Sequence, residues 1–148
     1  MLATITRAVV RCLDALASLL PAEKARAAHL DLGQHGEEAA YFYLRGRGYI
    51  IVARNYRSPR HHGELDLVGW HDDVLCFIEV KNRSSHDVKP AEAAVDSAKR
   101  RELIAVARDY WRRVPGSPPS RFDIVTLYYP RPGGSPEVTL FQNAFPLP

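Results

Sequence analysis

The stretch Gly63–Ser84 reads GELDLVGWHDDVLCFIEVKNRS. Two runs rich in branched and aromatic residues, Glu64–Gly69 and Val74–Lys81, flank a polar pair, Asp72-Asp73. Such runs read as strands. The chain must reverse between them, and Asp72-Asp73 is the polar pair available for a tight turn, although Asp-Gly or Asn-Gly would be the stronger signal. A loop of two or four residues centred there gives one register, with Asp66 opposite Glu79 and Glu64 opposite Lys81. Because side chains alternate along strands, Glu64, Asp66, Glu79 and Lys81 share one face. The other face carries Leu65, Leu67, Cys76, Ile78 and Val80, so it is expected to be core.

Like charges set directly opposite each other repel. Asp66 against Glu79 is therefore a cost in a purely structural hairpin, and a divalent cation removes it, since paired carboxylate oxygens are what Mg²⁺ prefers. Lys81, one strand period past Glu79, would stand beside such a site as a point charge suited to a phosphate. Val68, Trp70, Leu75 and Phe77 lie on the same face and would wall the site at one end. An acid-x-lysine alone is common on a wet strand face; an acid in register with it across a hairpin is far more specific. A one-residue bulge would separate Asp66 from Glu79 and weaken the reading.

Working outward, Gly36–Arg45 has helical spacing and is closed by Gly46 and Gly48. Tyr49–Arg54 reads as a strand, and Pro90–Arg113 as the longest helix, with Pro90 in its first turn. The run Pro115-Gly116-Ser117-Pro118-Pro119 breaks the chain, Arg121–Tyr129 is strand-like, and Glu137–Phe141 is a short last strand. The order α-β-β-β-α-β, with one more strand, predicts an α/β domain with a central mixed sheet flanked by helices. Residues 1–30 read as an N-terminal amphipathic helical extension, and residues 31–148 as the domain proper.

The 148 residues suffice for one domain with a core that needs no staples. The only cysteines, Cys12 and Cys76, form no disulfide framework and no zinc spacing, which suits a reducing, cytoplasmic setting. Arg7, Arg11 and Asp14 interrupt the N-terminal apolar run well short of the ~20 residues a membrane span needs. Net charge is only +3, yet no acid occurs between Glu38 and Glu64, where Arg45, Arg47, Arg54, Arg57 and Arg60 fall. Clustered arginine attracts a phosphate backbone, although on charge alone a solvated basic surface is the better reading.

GELDLV followed by FIEVKNR resembles the PD-(D/E)-x-K nuclease pattern. More closely, the chain resembles the YraN family of small bacterial proteins, relatives of archaeal Holliday junction resolvases. The resemblance runs from about Gly33 to Phe145 through GEEAA, RGYIIVARNYR, the hairpin, AVDSAKRREL, RFDIV and QNAF. It implies a restriction-endonuclease-like fold and Mg²⁺- or Mn²⁺-dependent cleavage of DNA phosphodiesters. By position it makes Asp66 and Glu79 the metal-binding acids, with the Val80 carbonyl a further ligand, and Lys81 the catalytic lysine. Glu37 on the first helix matches an additional acid of the resolvases; a one-residue slip would exchange it for Glu38. Leu65 stands in place of the pattern's proline, on the core face. The resemblance also points to a homodimer, since cutting a junction takes two sites.

Among other candidates, Lys99 lies on or beside an apolar helical face and either reaches toward the site or snorkels to solvent. Arg57, Arg60, Arg83 and Lys99 are the candidate nucleic-acid contacts. His61 and His62 read as exposed loop residues, Asp123 as structural, and the Cys76 thiol as inert. The function expected is a metal-dependent DNA endonuclease, acting on branched or repair-intermediate DNA. The alternatives are a non-catalytic nucleic-acid-binding protein on the same fold, and a partner-binding protein that uses its N-terminal helix.

Overall fold

The structure, a computed structural model, describes residues 28–83, 95–131 and 133–147. The expected N-terminal amphipathic helix and the Pro90 end of the long helix lie outside them. The elements run α1 (Ala28–Gly46), β1 (Ile50–Arg57), β2 (Glu64–His71), β3 (Val74–Arg83), α2 (Ser97–Trp111), β4 (Ser120–Tyr128) and β5 (Glu137–Phe145). The five strands form one sheet in the order β1-β2-β3-β4-β5. Only the β3–β4 pair is parallel, and α2 lies in the crossover joining those two strands. The fold is α/β, a mixed sheet with helices on both faces, consistent with the restriction-endonuclease-like class.

Helix α1 ends as its glycines dictate. Gly48 takes φ of +92°, Tyr49 N donates to Leu44 O at 3.1 Å, and Gly48 N donates to Arg45 O at 3.2 Å. This is the Schellman pair of bonds, with Gly48 in the left-handed position and Tyr49 packing beside Leu44 in one core cluster. A Cβ at Gly48 would meet no atom within 4 Å, so only the backbone opposes it. Gly48→Ala should therefore lower stability by about 1–2 kcal/mol. Gly46→Ala, in the helix with open space around it, should gain about 0.5–1 kcal/mol. Urea unfolding of the two variants checks both signs.

Among the described residues the long helix begins at Ser97. Asp96 has extended dihedrals, φ −67° and ψ 165°, and its side chain accepts from Lys99 N at 2.8 Å. That N-cap begins α2 at Ser97. β5 is longer than expected and reaches Phe145, because a long-range contact extends it. Asn143 N donates to Asp123 Oδ1 at 2.9 Å where the β4–β5 register shifts.

Two core clusters sandwich the sheet. Ala40 and Leu44 of α1 pack with Tyr49, Leu67, Cys76, Ile78, Val125 and Leu127. Leu103, Val106 and Ala107 of α2 pack with Leu65, Val68, Leu75, Phe77, Phe122 and Ile124 on the opposite face. On the face that carries Glu79, the expected apolar neighbours Val68, Leu75 and Phe77 pack under α2 and are completely buried. One expectation for the hairpin changes: Leu65 falls out of step with Leu67 and joins the α2-side cluster. Strand β1 has a register shift between Ile51 and Ala53 and a left-handed Asn55 at φ 49°, so the alternation is not strict near Asp66.

Candidate metal and nucleic-acid site

The hairpin closes on a two-residue turn. His71 pairs with Val74, and Asp72 takes φ of 53°, a conformation that Asp tolerates better than most residues. The ladder keeps the expected register through Trp70–Leu75, Gly69–Cys76, Val68–Phe77 and Leu67–Ile78. It stops one pair short of Asp66 and Glu79. There the Asp66 carboxylate takes over the role of the partner strand, its Oδ2 accepting from Val80 N at 2.7 Å. Asp66 thus sits where β2 and β3 part.

Glu79 stays on β3 and is buried, with 4% of its side chain exposed. Its Oε1 receives Lys81 Nζ at 2.7 Å, and Lys99 Nζ stands 3.9 Å away. Its Oε2 is buried without a hydrogen-bond partner among the described residues. The expected Glu64–Lys81 pair does not form. Past the end of the β2–β3 ladder, Glu64 faces β1 instead and binds Arg57 at 2.6 Å, leaving Lys81 to Glu79. Lys99, read from sequence between solvent and site, reaches Glu79 from α2.

Glu37 projects from α1 toward the same region. Its Oε2 accepts from Asn55 Nδ2 at 2.8 Å. Asn55 lies between the pairs Arg54–Leu67 and Tyr56–Leu65, which sets it across from Asp66. Glu38 is exposed, so of the two acids Glu37 is the one near the site. Gly36 explains how α1 comes so close: a Cβ there would overlap the Asn82 side-chain oxygen at the end of β3. Asn55 was missed from sequence, where a polar residue in a strand run carries no signal of its contact with a helix acid.

Burial, the charge of Glu79 and then that of Glu37 push the Asp66 carboxyl up to about 7, against the opposing Val80 N–H and Lys99. An acid whose folded pKa is raised is protonated more readily in the folded chain than in the unfolded one. Its contribution to stability is thus greatest below about pH 4 and is lost as pH rises through about 7. The metal-free chain should therefore lose roughly 2 kcal/mol between pH 5 and pH 8 at this one residue. Asp66→Asn should flatten that part of the profile, read by thermal unfolding in a chelator at each pH.

Among the described residues no three His, Cys, Asp or Glu side chains gather as a cation site. Asp66 and Glu79 are the two carboxylates brought together here, joined through Val80, whose N–H holds Asp66 and which lies between Glu79 and Lys81. Both lysines are about one-third exposed, so their charges face outward as well as toward Glu79. The remaining candidates spread over the rim. Arg57 is 78% exposed and paired with Glu64. Arg60 is 74% exposed, 4.0 Å from Asp109, on a loop that the Ser58–Asp109 hydrogen bond of 2.8 Å ties to α2. Arg83 ends β3.

The residues that the sequence singled out lie within a stretch shared with other bacterial proteins. Residues 36–127 match the model of the uncharacterised protein family UPF0102. The chain belongs to this family, the YraN family. A UPF0102 protein of Koribacter versatilis is 52% identical over 140 residues, 95% of this chain and 94% of its own. A UPF0102 protein of Solibacter usitatus is 46% identical over 114 residues, 76% and 84% of the two chains. A third, from Symbiobacterium thermophilum, is 41% identical over 115 residues, 77% and 95%. In this YraN-family chain the matched stretch contains Glu37, Asp66, Glu79, Lys81 and Lys99.

On the adjacent strand, where Asp123 pairs with Ile78 and turns to the α1 side of the sheet, the second polar cluster of the YraN-family chain is structural. Asp123 is fully buried and accepts from Tyr49 OH at 2.8 Å, Arg121 Nε at 2.9 Å and Asn143 N at 2.9 Å. Cys76 is buried in the core, and burial pushes its thiol up to about 12, so it is not a nucleophile. Among the described residues no helix is long and apolar enough to cross a membrane.

Proposed function

We propose that this chain is a metal-dependent endonuclease that hydrolyses DNA phosphodiester bonds at the Asp66–Glu79–Lys81 centre. The observation that carries the reading is the buried Oε2 of Glu79, unpartnered among the described residues, beside a second carboxylate. Leaving such an acceptor unmet costs about 1–3 kcal/mol, a cost that a structural hairpin has no reason to bear. Asp66, Glu79 and the Val80 carbonyl form an all-oxygen donor set suited to Mg²⁺ or Mn²⁺. Two carboxylates with retained waters is a common Mg²⁺ complement. When bound, the cation supplies Lewis acidity toward a phosphoryl oxygen and a nearby water.

The side chains do the rest. Lys81 holds a fixed positive charge 2.7 Å from Glu79, where it would meet the charge that develops on the scissile phosphate. Lys99 adds a second cation from α2. The Val80 N–H fixes Asp66 so that its carboxylate does not swing away. Glu37 enters as a third negative charge near Asp66, held in place by Asn55. Arg57, Arg60 and Arg83 stand on the rim, where a DNA backbone would pass.

The test is cleavage of linear duplex, single-stranded and four-way-junction DNA by the purified chain with Mg²⁺ or Mn²⁺. Cutting that stops on chelation is expected. A wild-type chain that cuts none of these with either metal overturns the reading. Tight binding without cutting would instead identify a non-catalytic nucleic-acid-binding protein.

A further inference from the structure

The surface of α1 beyond Glu37 combines an exposed phenylalanine and a half-buried tyrosine with arginines. At one-turn steps from Glu37 come Tyr41 and Arg45, which therefore share its face of the helix. Arg45 Nη1 donates to Tyr41 OH at 3.2 Å, and its guanidinium lies 5.4 Å from the Tyr41 ring centroid. Arg54 of β1 comes within 5.0 Å of the same ring. Phe42, 43% exposed, stands edge-on to Tyr41 at 5.2 Å. The next residue along β1 is Asn55, which holds Glu37 across from Asp66. A track of rings and guanidinium groups thus runs from the acid centre along α1.

Its chemistry selects among occupants. Two arginines that flank a tyrosine, on a segment with no acid between Glu38 and Glu64, call for a polyanion. An exposed Phe42 is of little use to a sugar-phosphate backbone alone, yet aromatic and guanidinium faces are what unpaired bases stack on. From Glu37 to Arg45 the helix rises ~12 Å, room for roughly three nucleotides at a stacked spacing of ~3.4 Å. A second copy that adds to the edge of β1 is the competing occupant, since Ile50 and Val52 are also exposed there. Such a copy would bring Arg54 and Arg45 against their own like charges.

We infer that the Tyr41–Phe42–Arg45–Arg54 surface binds a short unpaired DNA strand leading into the acid centre. The preferred substrate is then DNA with a single-stranded segment beside the bond to be cut. The inference rests on the endonuclease reading only for where the track leads. The binding itself is measured without cleavage, so the two can fail separately.

The experiment is fluorescence anisotropy in a chelator, with the full chain and three labelled DNAs: a single strand, a blunt duplex, and the same duplex with a short overhang. The wild type should bind the overhang duplex at least ~3-fold more tightly than the blunt one. The double variant Phe42→Ala/Arg54→Ala should bind the single strand and the overhang duplex at least ~10-fold more weakly, with less than ~3-fold change on blunt duplex. Arg54→Glu alone, at an exposed strand position, should show the same selectivity. Equal losses on all three DNAs, or no loss on any, overturn the inference. A concentration-dependent dimer that the double variant abolishes also overturns it, and assigns the surface to a second copy.

Discussion

Asp66→Asn should abolish metal-dependent cleavage, lowering its rate by ~10³-fold or more, while making the metal-free chain more stable at pH 8. The two effects have opposite signs for one reason. In the folded chain Asp66 is partly buried near the charges of Glu79 and Glu37, and its carboxyl is pushed up to about 7. At pH 8 that charge works against the fold, so an uncharged isostere relieves it. A carboxylate that served structure would show the reverse, losing stability along with any activity. Lys81→Ala should cost ~10²–10³-fold in rate, the usual magnitude for losing a group aimed at developing charge. It should also destabilise the chain, because among the described residues Glu79 then keeps the more distant Lys99 alone. Rates on a cleavable DNA and urea unfolding at pH 8, measured on the same preparations, separate the two variants. Cleavage that survives in Asp66→Asn would remove the acid centre from the chemistry.

Asp123→Ala should be the most destabilising of the substitutions considered, costing about 3–5 kcal/mol. Asp123 has no exposed surface and receives Tyr49 OH, the Arg121 guanidinium and Asn143 N. Removing it leaves Arg121, which also contacts Tyr49 OH at 3.0 Å and His71 Nδ1 at 3.1 Å, as a largely buried charge without its counter-ion. The Asn143 N–H would lose its acceptor where the β4–β5 register shifts, so the end of β5 should loosen first. Urea unfolding gives the total loss, and amide exchange at Asn143 and its neighbours locates it. A loss below ~1 kcal/mol would mean that the network is dispensable.

The hairpin was readable because strand alternation has a period of two and one polar pair could form the turn. The ladder from Trp70–Leu75 to Leu67–Ile78 follows from those two facts. The stop of α1 was readable too, since glycine meets the left-handed requirement at Gly48 without strain. The end of β5 and the start of α2 were not. One depends on Asp123 reaching Asn143 across the sheet, the other on whether Asp96 caps or continues a helical pattern.

The candidate site divides along the same line. The sequence by itself determined that Asp66, Glu79 and Lys81 come together, because they lie on two strands joined by a short turn whose register alternation sets. Only the tertiary structure decided how they are used. It parts β2 from β3 just past Leu67–Ile78, turns Asp66 onto Val80 N, and gives Lys81 to Glu79 rather than to Glu64. It also brings Glu37 from one helix and Lys99 from the other. Those contacts join segments far apart in the chain, and no local periodicity records which helix face meets which strand end.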